Sequence, residues 1–191
     1  MAAPKRRSGA ILKWRDYCRR SVILDVRQAE TAFTMADETI SQDEYDIFTA
    51  IFHGDRYRFD LPTTTVADET STHHFTTCAD WIYAPLRFRY MHRRNPDLTA
   101  DFETKNRCKW KLERRFDVPN GFQFLSERQA IKNDEGNFFT VSRVGFDREN
   151  AHGLVYFCYY GGPLCAQAYF LLMEREGNSW REMDAMLAWL S

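Results

Sequence analysis

The feature that most constrains this chain is a series of four apolar, β-prone runs in its last third. The runs extend over 138–144, 154–160, 165–173 and 180–190. Turn-forming residues lie between them, at 147–150, at 161–163 and at 174–179. Successive strands joined by short turns are typical of an antiparallel meander. We therefore expect the C-terminal part of the chain to form a β-meander whose last strand ends near residue 190.

Helical patterns lie earlier in the chain. Ser41 and Glu44 have the spacing of a capping box, and apolar residues at helical intervals follow, which predicts a helix over about 42–53. A second helix is predicted over about 98–106, with Asp97 as its N-cap. Ser126-Glu-Arg-Gln129 repeats the capping pattern and predicts a short third helix.

The predicted fold class is α+β, with N-terminal helices packed on a C-terminal antiparallel β-meander. Alternating apolar residues over 57–61 predict one earlier strand, and the polar stretch 63–77 is predicted to be a loop. The segment 78–92 carries mixed helix and strand signals, and we favour a helix that breaks at Pro85.

Length and charge predict one domain preceded by a basic arm. The chain has 191 residues and a formal net charge of −1, yet residues 1–20 hold seven Lys or Arg and one Asp. We predict a basic N-terminal arm over 1–36, ordered or disordered, and a single domain over 37–191. No apolar stretch approaches the roughly 18 residues of a transmembrane segment. The apolar run after the basic start is also too short for a secretory signal.

Short motif blocks carry a resemblance to a known family. They are Ser142-Arg-Val-Gly-Phe146, Gly153-Leu-Val-Tyr156, Pro163-Leu-Cys165, Leu171-Leu-Met-Glu174, Gly177-Asn-Ser-Trp180 and Trp189-Leu-Ser191. Their order is similar to that in a family of uncharacterised bacterial α+β proteins, many of which carry a secretion or lipoprotein signal. The resemblance covers about residues 41–191. It implies the fold and a periplasmic or envelope location, with no assigned activity. Because this chain shows no signal segment, the cytoplasm is an equal alternative.

Five cysteines without a CxxC pair argue against a zinc ribbon. If a tight turn forms over 160–163, Cys158 faces Cys165 with their Cα atoms about 4.5 Å apart. That separation permits a disulfide. The equal alternative is two reduced thiols packed as small apolar residues.

One cluster contains residue types that could support catalysis. His73, His74, Cys78 and Asp80 lie close together in the sequence and could act as a nucleophile and base in a small hydrolase-type enzyme. His and Cys are also zinc ligands, but a zinc site requires three or four ligands in fixed geometry. A structural role is favoured for this cluster, and we predict no catalytic residues, metal site or cofactor.

A second segment, 86–116, alternates basic and aromatic residues. Arg87, Arg89, Lys109, Trp110 and Lys111 are the candidate residues for binding phosphate or nucleic acid, because aromatic faces stack on bases while basic groups contact the backbone. The alternative is that the long basic side chains cover the edge of an apolar core.

The favoured interpretation is a non-catalytic soluble or envelope-associated protein that binds another protein. The last predicted strand contains Trp180 and Trp189, and we predict that it offers a binding face or an open sheet edge. The alternative for both Trp side chains is packing in the core. The hydrolase-type cluster and the basic-aromatic segment remain the two competing interpretations.

Overall fold

The computed structural model of this chain describes residues 39–54, 64–72, 93–119, 122–133, 138–161 and 165–190. The helices that lie within these ranges are α1 (Gln42–His53), α2 (Pro96–Lys105) and α3 (Glu127–Asn133). The strands are β1 (Thr64–Ala67), β2 (Phe122–Leu125), β3 (Phe138–Val141), β4 (Gly145–Phe146), β5 (His152–Tyr160), β6 (Ala166–Glu176) and β7 (Ser179–Leu190). The predicted arm over 1–36, the predicted strand over 57–61 and the segment 78–92 lie outside the described residues.

The seven strands form one mixed sheet. Its order is β2–β1–β3–β5–β6–β7, and β4 also pairs with β5. β1 runs parallel to both β2 and β3, whereas β5 is antiparallel to β3, β4 and β6, and β6 is antiparallel to β7. The predicted meander is present as β5–β6–β7. The predicted fold class is nevertheless wrong, because the short helices are interspersed with strands and β1 and β2 extend the sheet in parallel.

The loop predicted over 63–77 contains β1, which is central in the sheet between β2 and β3. All four residues of β1 are buried. A strand covered on both faces lacks the alternation of apolar and polar residues that identifies a half-buried strand. Its two Thr residues resemble a polar loop in the sequence, although β-branched side chains are suited to strands.

α1 begins and ends where the sequence predicts. Ser41 Oγ accepts a hydrogen bond from the Glu44 N–H at 3.3 Å, and Glu44 Oε2 accepts one from the Ser41 N–H at 2.9 Å, so the capping box is complete. The helix packs one apolar face on the sheet. Its buried apolar residues are Tyr45, Ile47, Phe48, Ile51 and Phe52.

α2 begins at Pro96, with Asn95 at the N-cap position. The prediction that Asp97 caps this helix is therefore wrong. Proline is favoured at the first helical position because its missing N–H has no intrahelical acceptor there. The Asp97 carboxylate instead pairs with Arg148, at an N–O distance of 2.9 Å.

The helices cover opposite faces of the sheet. On the α1 face, α1 and the segment 110–118 pack against Val155, Phe157, Leu171 and Met173. On the α2 face, Leu98 and Phe102 of α2 pack against Leu154, Tyr156 and Phe170. The sheet is therefore buried on both sides along β5 and β6, which explains why these two strands read as nearly continuous apolar runs.

A β-bulge separates β3 from β4. Arg143–Val144 together face the single residue Val155 of β5. The flanking pairs are Ser142 with Tyr156 and Gly145 with Leu154. Two residues opposite one partner interrupt the ladder and leave backbone groups without a strand partner.

Side chains from outside the sheet bind the backbone groups of this bulge. The Arg143 N–H donates to Asn106 Oδ1 at 2.8 Å, and the Val144 N–H donates to Glu44 Oε1 at 3.0 Å. Asn106 Nδ2 donates to the Arg143 carbonyl at 3.0 Å, and Lys105 Nζ donates to the Val144 carbonyl at 3.2 Å. The bulge is therefore fully hydrogen-bonded although it is buried.

Candidate functional site

Two groups of predicted functional residues lie outside the described residues. They are the hydrolase-type cluster of His73, His74, Cys78 and Asp80, and the basic residues Arg87 and Arg89. Both interpretations therefore stay predictions.

The described part of the basic-aromatic segment is engaged within the fold. Lys109 Nζ contacts Glu127 at 3.0 Å, and Lys111 forms an isolated β-bridge with Glu69. The Arg143 guanidinium lies 4.7 Å from the centre of the Trp110 ring and covers one of its faces. The Lys109 side chain and the Trp110 ring therefore contact other elements of this protein, whereas the bridge at Lys111 is made by its backbone and its side chain is exposed.

The cysteine register differs from the predicted one. Cys158 lies opposite Ala168, and Gly161 lies opposite Cys165 through an N–H to carbonyl hydrogen bond of 2.6 Å. Both thiols are free. The register of β5 on β6 therefore differs by three positions from a 158–165 pairing. Burial raises the pKa of the Cys158 thiol to about 12.

The two tryptophans of β7 have different placements. Trp180 is only 6% exposed and packs against Phe146, with ring centres 5.7 Å apart, and against the Arg175 guanidinium, 4.4 Å from its ring centre. It therefore belongs to the core and offers no binding face. The backbone of Trp189 pairs with Ala168 near the end of β7.

A buried ion pair joins α1 to the bulge between β3 and β4. Arg143 Nε and Nη2 donate to the two carboxylate oxygens of Glu44 at 2.7 and 2.9 Å, and the two side chains are 2% and 0% exposed. Burial raises the pKa of Glu44, but the Arg143 guanidinium and the N–H groups of Ser41 and Val144 together lower it more, so the pKa lies below its ordinary value. Arg143 Nη1 is buried without a hydrogen-bond partner. This geometry fixes the position of α1 on the sheet.

A second ion pair anchors the first turn of α1. Arg175 Nη2 lies 2.6 Å from Asp43 Oδ2, which also accepts a hydrogen bond from Asn150 Nδ2 at 2.7 Å. The Arg175 hydrogen bond is the main reason that the pKa of Asp43 lies below its ordinary value. These two ion pairs of α1 are therefore used to hold the fold together.

A shallow groove between α2 and the turn before β5 was missed by the sequence analysis, because its residues come from separate elements. It is lined by Asp97, Ala100, Asp101, Phe146, Asp147 and Arg148. Burial raises the pKa of Asp147, but His152 at 2.7 Å and two backbone N–H groups lower it more. Among the described residues, no group of three His, Cys, Asp or Glu side chains is arranged to hold a metal ion.

Exposed apolar residues are concentrated on β7, which lies at the opposite edge of the sheet from β2. Met183, Leu187 and Leu190 are 51%, 37% and 69% exposed, and they are the exposed large apolar residues among those the structure describes. Edge strands are commonly protected by charged side chains, Pro, β-bulges or short length. β7 is twelve residues long and contains neither Lys nor Pro, although it carries Arg181, Glu182 and Asp184.

Hydrogen bonds between β5 and β6 determine which residues of β6 face β7. The Gly161 N–H donates to the Cys165 carbonyl, and the Arg175 N–H donates to the Ala151 carbonyl at 2.9 Å. Because such pairs alternate along an antiparallel ladder, odd-numbered residues of β6 bond to β5 and even-numbered residues bond to β7. The β7 residues opposite these even-numbered positions are Ser179, Arg181, Asp184, Met186 and Trp189.

Residues between these positions direct their backbone groups away from β6. Ala185, Leu187 and Leu190 have this orientation, which follows from the alternation of the ladder. The Ala185 N–H accordingly bonds to the side chain of the preceding residue, at 2.8 Å from Asp184 Oδ1. The outer edge of β7 therefore combines outward-directed backbone groups with exposed apolar side chains.

Two bulges interrupt β7. The register with β6 shifts between Leu172 and Met173 and again between Ala168 and Tyr169. Each shift adds one residue to β7, so the bulges occupy Met183–Asp184 and Ala188–Trp189. The stretch between them, centred on Met186, is regular.

Comparisons of the chain with protein-family models, with curated proteins and with solved structures give no match. The resemblance to a bacterial family therefore rests on the motif blocks alone. Within the described residues, no helix has the length and apolar character needed to cross a bilayer.

Proposed function

We propose that this chain is a non-catalytic domain that binds protein by accepting an extended strand along the outer edge of β7. The observation that carries the proposal is the concentration of exposed large apolar residues on this one edge strand, at Met183, Leu187 and Leu190. Strand addition uses the outward backbone groups for affinity and the alternate side chains for specificity.

The ion pairs of α1 support this proposal, because their charged groups are used within the fold. Glu44 and Asp43 bind Arg143 and Arg175 and thereby attach α1 to the sheet. The ion pairs at α1 serve the fold, whereas the β7 edge has features that internal packing does not require. A strand added at this edge would bury the exposed apolar side chains and hydrogen-bond the outward-directed N–H and C=O groups.

The test is capture of protein partners by the tagged chain. Each purified partner is then bound again to the wild-type chain and to three variants. Leu187→Lys places a charge on the edge. Ala185→Pro removes an outward-directed N–H, and edge strands tolerate proline at such positions. Glu103→Gln, at an exposed position of α2, changes the net charge by the same amount as Leu187→Lys and is the matched control. Circular dichroism verifies that each variant is folded.

We expect both β7 variants to weaken rebinding at least tenfold and Glu103→Gln to leave it unchanged. Hydrogen exchange of the complex should show slowed exchange at the Ala185 and Leu187 amides. A partner that rebinds equally well to all forms would refute the proposal. Loss of the partner on nuclease treatment would instead favour the basic-aromatic segment.

A further inference from the structure

We propose that the strand accepted by β7 is the β7 of a second copy of this chain, paired antiparallel across a twofold axis at Met186. This inference rests on the proposed function, because it names the partner for the same edge. The spacing of the outward-directed backbone groups and of the bulges along β7 identifies the partner as a second copy of the chain.

The outward-directed backbone groups of β7 are self-complementary about Met186. In an antiparallel pair centred on this residue, Ala185 lies opposite Leu187 of the second copy, and Leu187 lies opposite its Ala185. Both residues direct their N–H and C=O groups outward, so each such pair exchanges two hydrogen bonds. Met186 bonds to β6 and therefore occupies a non-hydrogen-bonded position on the axis.

The two bulges of β7 have the same symmetry. Met183–Asp184 lies two to three positions before Met186, and Ala188–Trp189 lies two to three positions after it. Met183–Asp184 of one copy therefore faces Ala188–Trp189 of the second copy, and both strands have the same number of residues at this place. A partner strand without bulges would lose register at these two places, whereas a second β7 keeps it.

The side chains near the axis also fit a second copy. Leu187 lies opposite Tyr169 on the α1 face, and Met186 lies opposite Phe170 on the α2 face. Pairing at this register brings the two Leu187 side chains together as diagonal neighbours on one face, and the two Met186 side chains directly opposite on the other. Apolar contacts therefore form on both sides of the extended sheet.

Charged residues do not oppose their own copies in this register. Asp184 lies opposite Ala188 of the second copy, and the two Asp184 residues are about 13 Å apart along the strands. The Ala185 N–H exchanges its hydrogen bond to the Asp184 carboxylate for one to the Leu187 carbonyl of the second copy. Pairing therefore proceeds without like charges directly across the interface, which would oppose it.

The first experiment measures the mass of the full chain in solution by light scattering and sedimentation. We expect a species of twice 22.6 kDa at micromolar concentrations. Leu187→Lys and Ala185→Pro should each weaken dimerisation at least tenfold, and Glu103→Gln should leave it unchanged. A wild-type chain that is monomeric at about 100 μM overturns the inference, as does a dimer insensitive to both β7 variants.

The second experiment tests the register by a disulfide formed with the oxidant diamide. Met186→Cys places two Cα atoms about 4.5 Å apart on the axis, within the range for a disulfide. Met183→Cys is the matched control, because its two copies are about 20 Å apart along the strands. We expect a 186–186 linked peptide by mass spectrometry and no 183–183 peptide. Equal linking of both variants, or none of Met186→Cys, overturns the register.

The outcomes separate the two proposals. A monomeric chain that binds a different protein, with affinity lost in Leu187→Lys, refutes self-pairing and supports strand addition at β7. A monomeric chain without any partner sensitive to β7 variants refutes both. A dimer that links through Met186→Cys and dissociates in Leu187→Lys supports both.

Discussion

The carboxylate of Glu44 accepts two hydrogen bonds from the guanidinium of Arg143, a residue 99 positions later in the chain. The same carboxylate accepts a hydrogen bond from the Val144 N–H. One side chain of α1 therefore binds both residues of the bulge between β3 and β4. Because all of these groups are buried, their hydrogen bonds are made in surroundings of low polarity, where a missing partner is especially unfavourable.

Removing one member of this pair should strongly destabilise the fold. Glu44→Gln leaves the buried Arg143 charge without its counterion, and we expect a loss of about 3–5 kcal/mol in the free energy of unfolding. Urea denaturation followed by circular dichroism measures this loss. In the double variant Glu44→Gln with Arg143→Met, the loss should be smaller than the sum of the single losses, because the uncompensated charge is gone.

The exposed pair of Asp97 and Arg148 provides the control. Asp97→Asn should change the free energy of unfolding by at most about 1 kcal/mol, since exposed ion pairs contribute little. Equal losses for Asp97→Asn and Glu44→Gln would contradict the assignment of a special role to the buried pair.

Stability should fall in acid. The pKa values of Asp43, Glu44 and Asp147 are lowered in the folded protein from ordinary values of 3.8, 4.5 and 3.8. The unfolded chain therefore binds more protons than the folded one at low pH. The stabilisation is fully present above about pH 5 and is lost as the pH falls through and below these values. Urea denaturation between pH 3 and pH 7 measures the change, and a constant free energy over this range would contradict it.

Gly145→Ala should disrupt the contact between β4 and α2. A Cβ at this position would lie 2.5 Å from the Phe102 Cα, and the backbone of α2 cannot yield as a flexible side chain could. We expect a loss of at least about 1–3 kcal/mol. Gly54→Ala is the control, because its Cβ would come no closer than 3.2 Å to any neighbour. Thermal unfolding of both variants distinguishes them, and similar melting temperatures would argue against the close approach.

The cysteines should differ in reactivity. Cys108 and Cys165 are exposed, whereas the pKa of Cys158 is raised to about 12, which leaves about one thiolate in ten thousand at pH 8. Brief treatment with iodoacetamide should therefore label Cys108 and Cys165 and spare Cys158 until the protein unfolds. Peptide mass spectrometry checks this order, and rapid labelling of Cys158 in the folded protein would show that the thiol is accessible.

Local signals in the sequence were sufficient for α1 and for the strand series at the C-terminal end. The capping box of Ser41 and Glu44 involves residues three positions apart, so its outcome does not depend on distant parts of the chain. The parallel strands were not found, because β1 is recognisable only through its neighbours β2 and β3. Its residues resemble a polar turn until they are placed between two other strands.

The turn between β5 and β6 shows why register was harder to predict than strand position. Gly161 and the following residues can form turns of several lengths, and each length pairs Cys158 with a different residue. The hydrogen bond from the Gly161 N–H to the Cys165 carbonyl sets the register that places Cys158 opposite Ala168. A shift of this kind changes every cross-strand pair.

Of the two tryptophans predicted to offer a binding face, Trp180 is buried, and the exposed large apolar residues described on β7 are Met183, Leu187 and Leu190. Strict alternation from Trp180 places Leu187 on the opposite face, whereas the bulge at Met183–Asp184 shifts the phase and puts Leu187 on the same face. Bulges cannot be read from alternation alone, because they are set by the partner strand. The face on which Leu187 lies therefore follows only from the register with β6.

The distance along the chain between Glu44 and Arg143 has a consequence for synthesis on the ribosome. At about 5–20 residues per second, the 99 residues from Glu44 to Arg143 along the chain take about 5–20 s to add. During that interval α1 has been made, but Arg143 has not, and neither have β5 and β6, whose residues Val155, Phe157, Leu171 and Met173 pack on the α1 face of the sheet. We expect the nascent chain to rely on chaperones or on the ribosome surface to shield Tyr45, Phe48 and Phe52 until the sheet is complete.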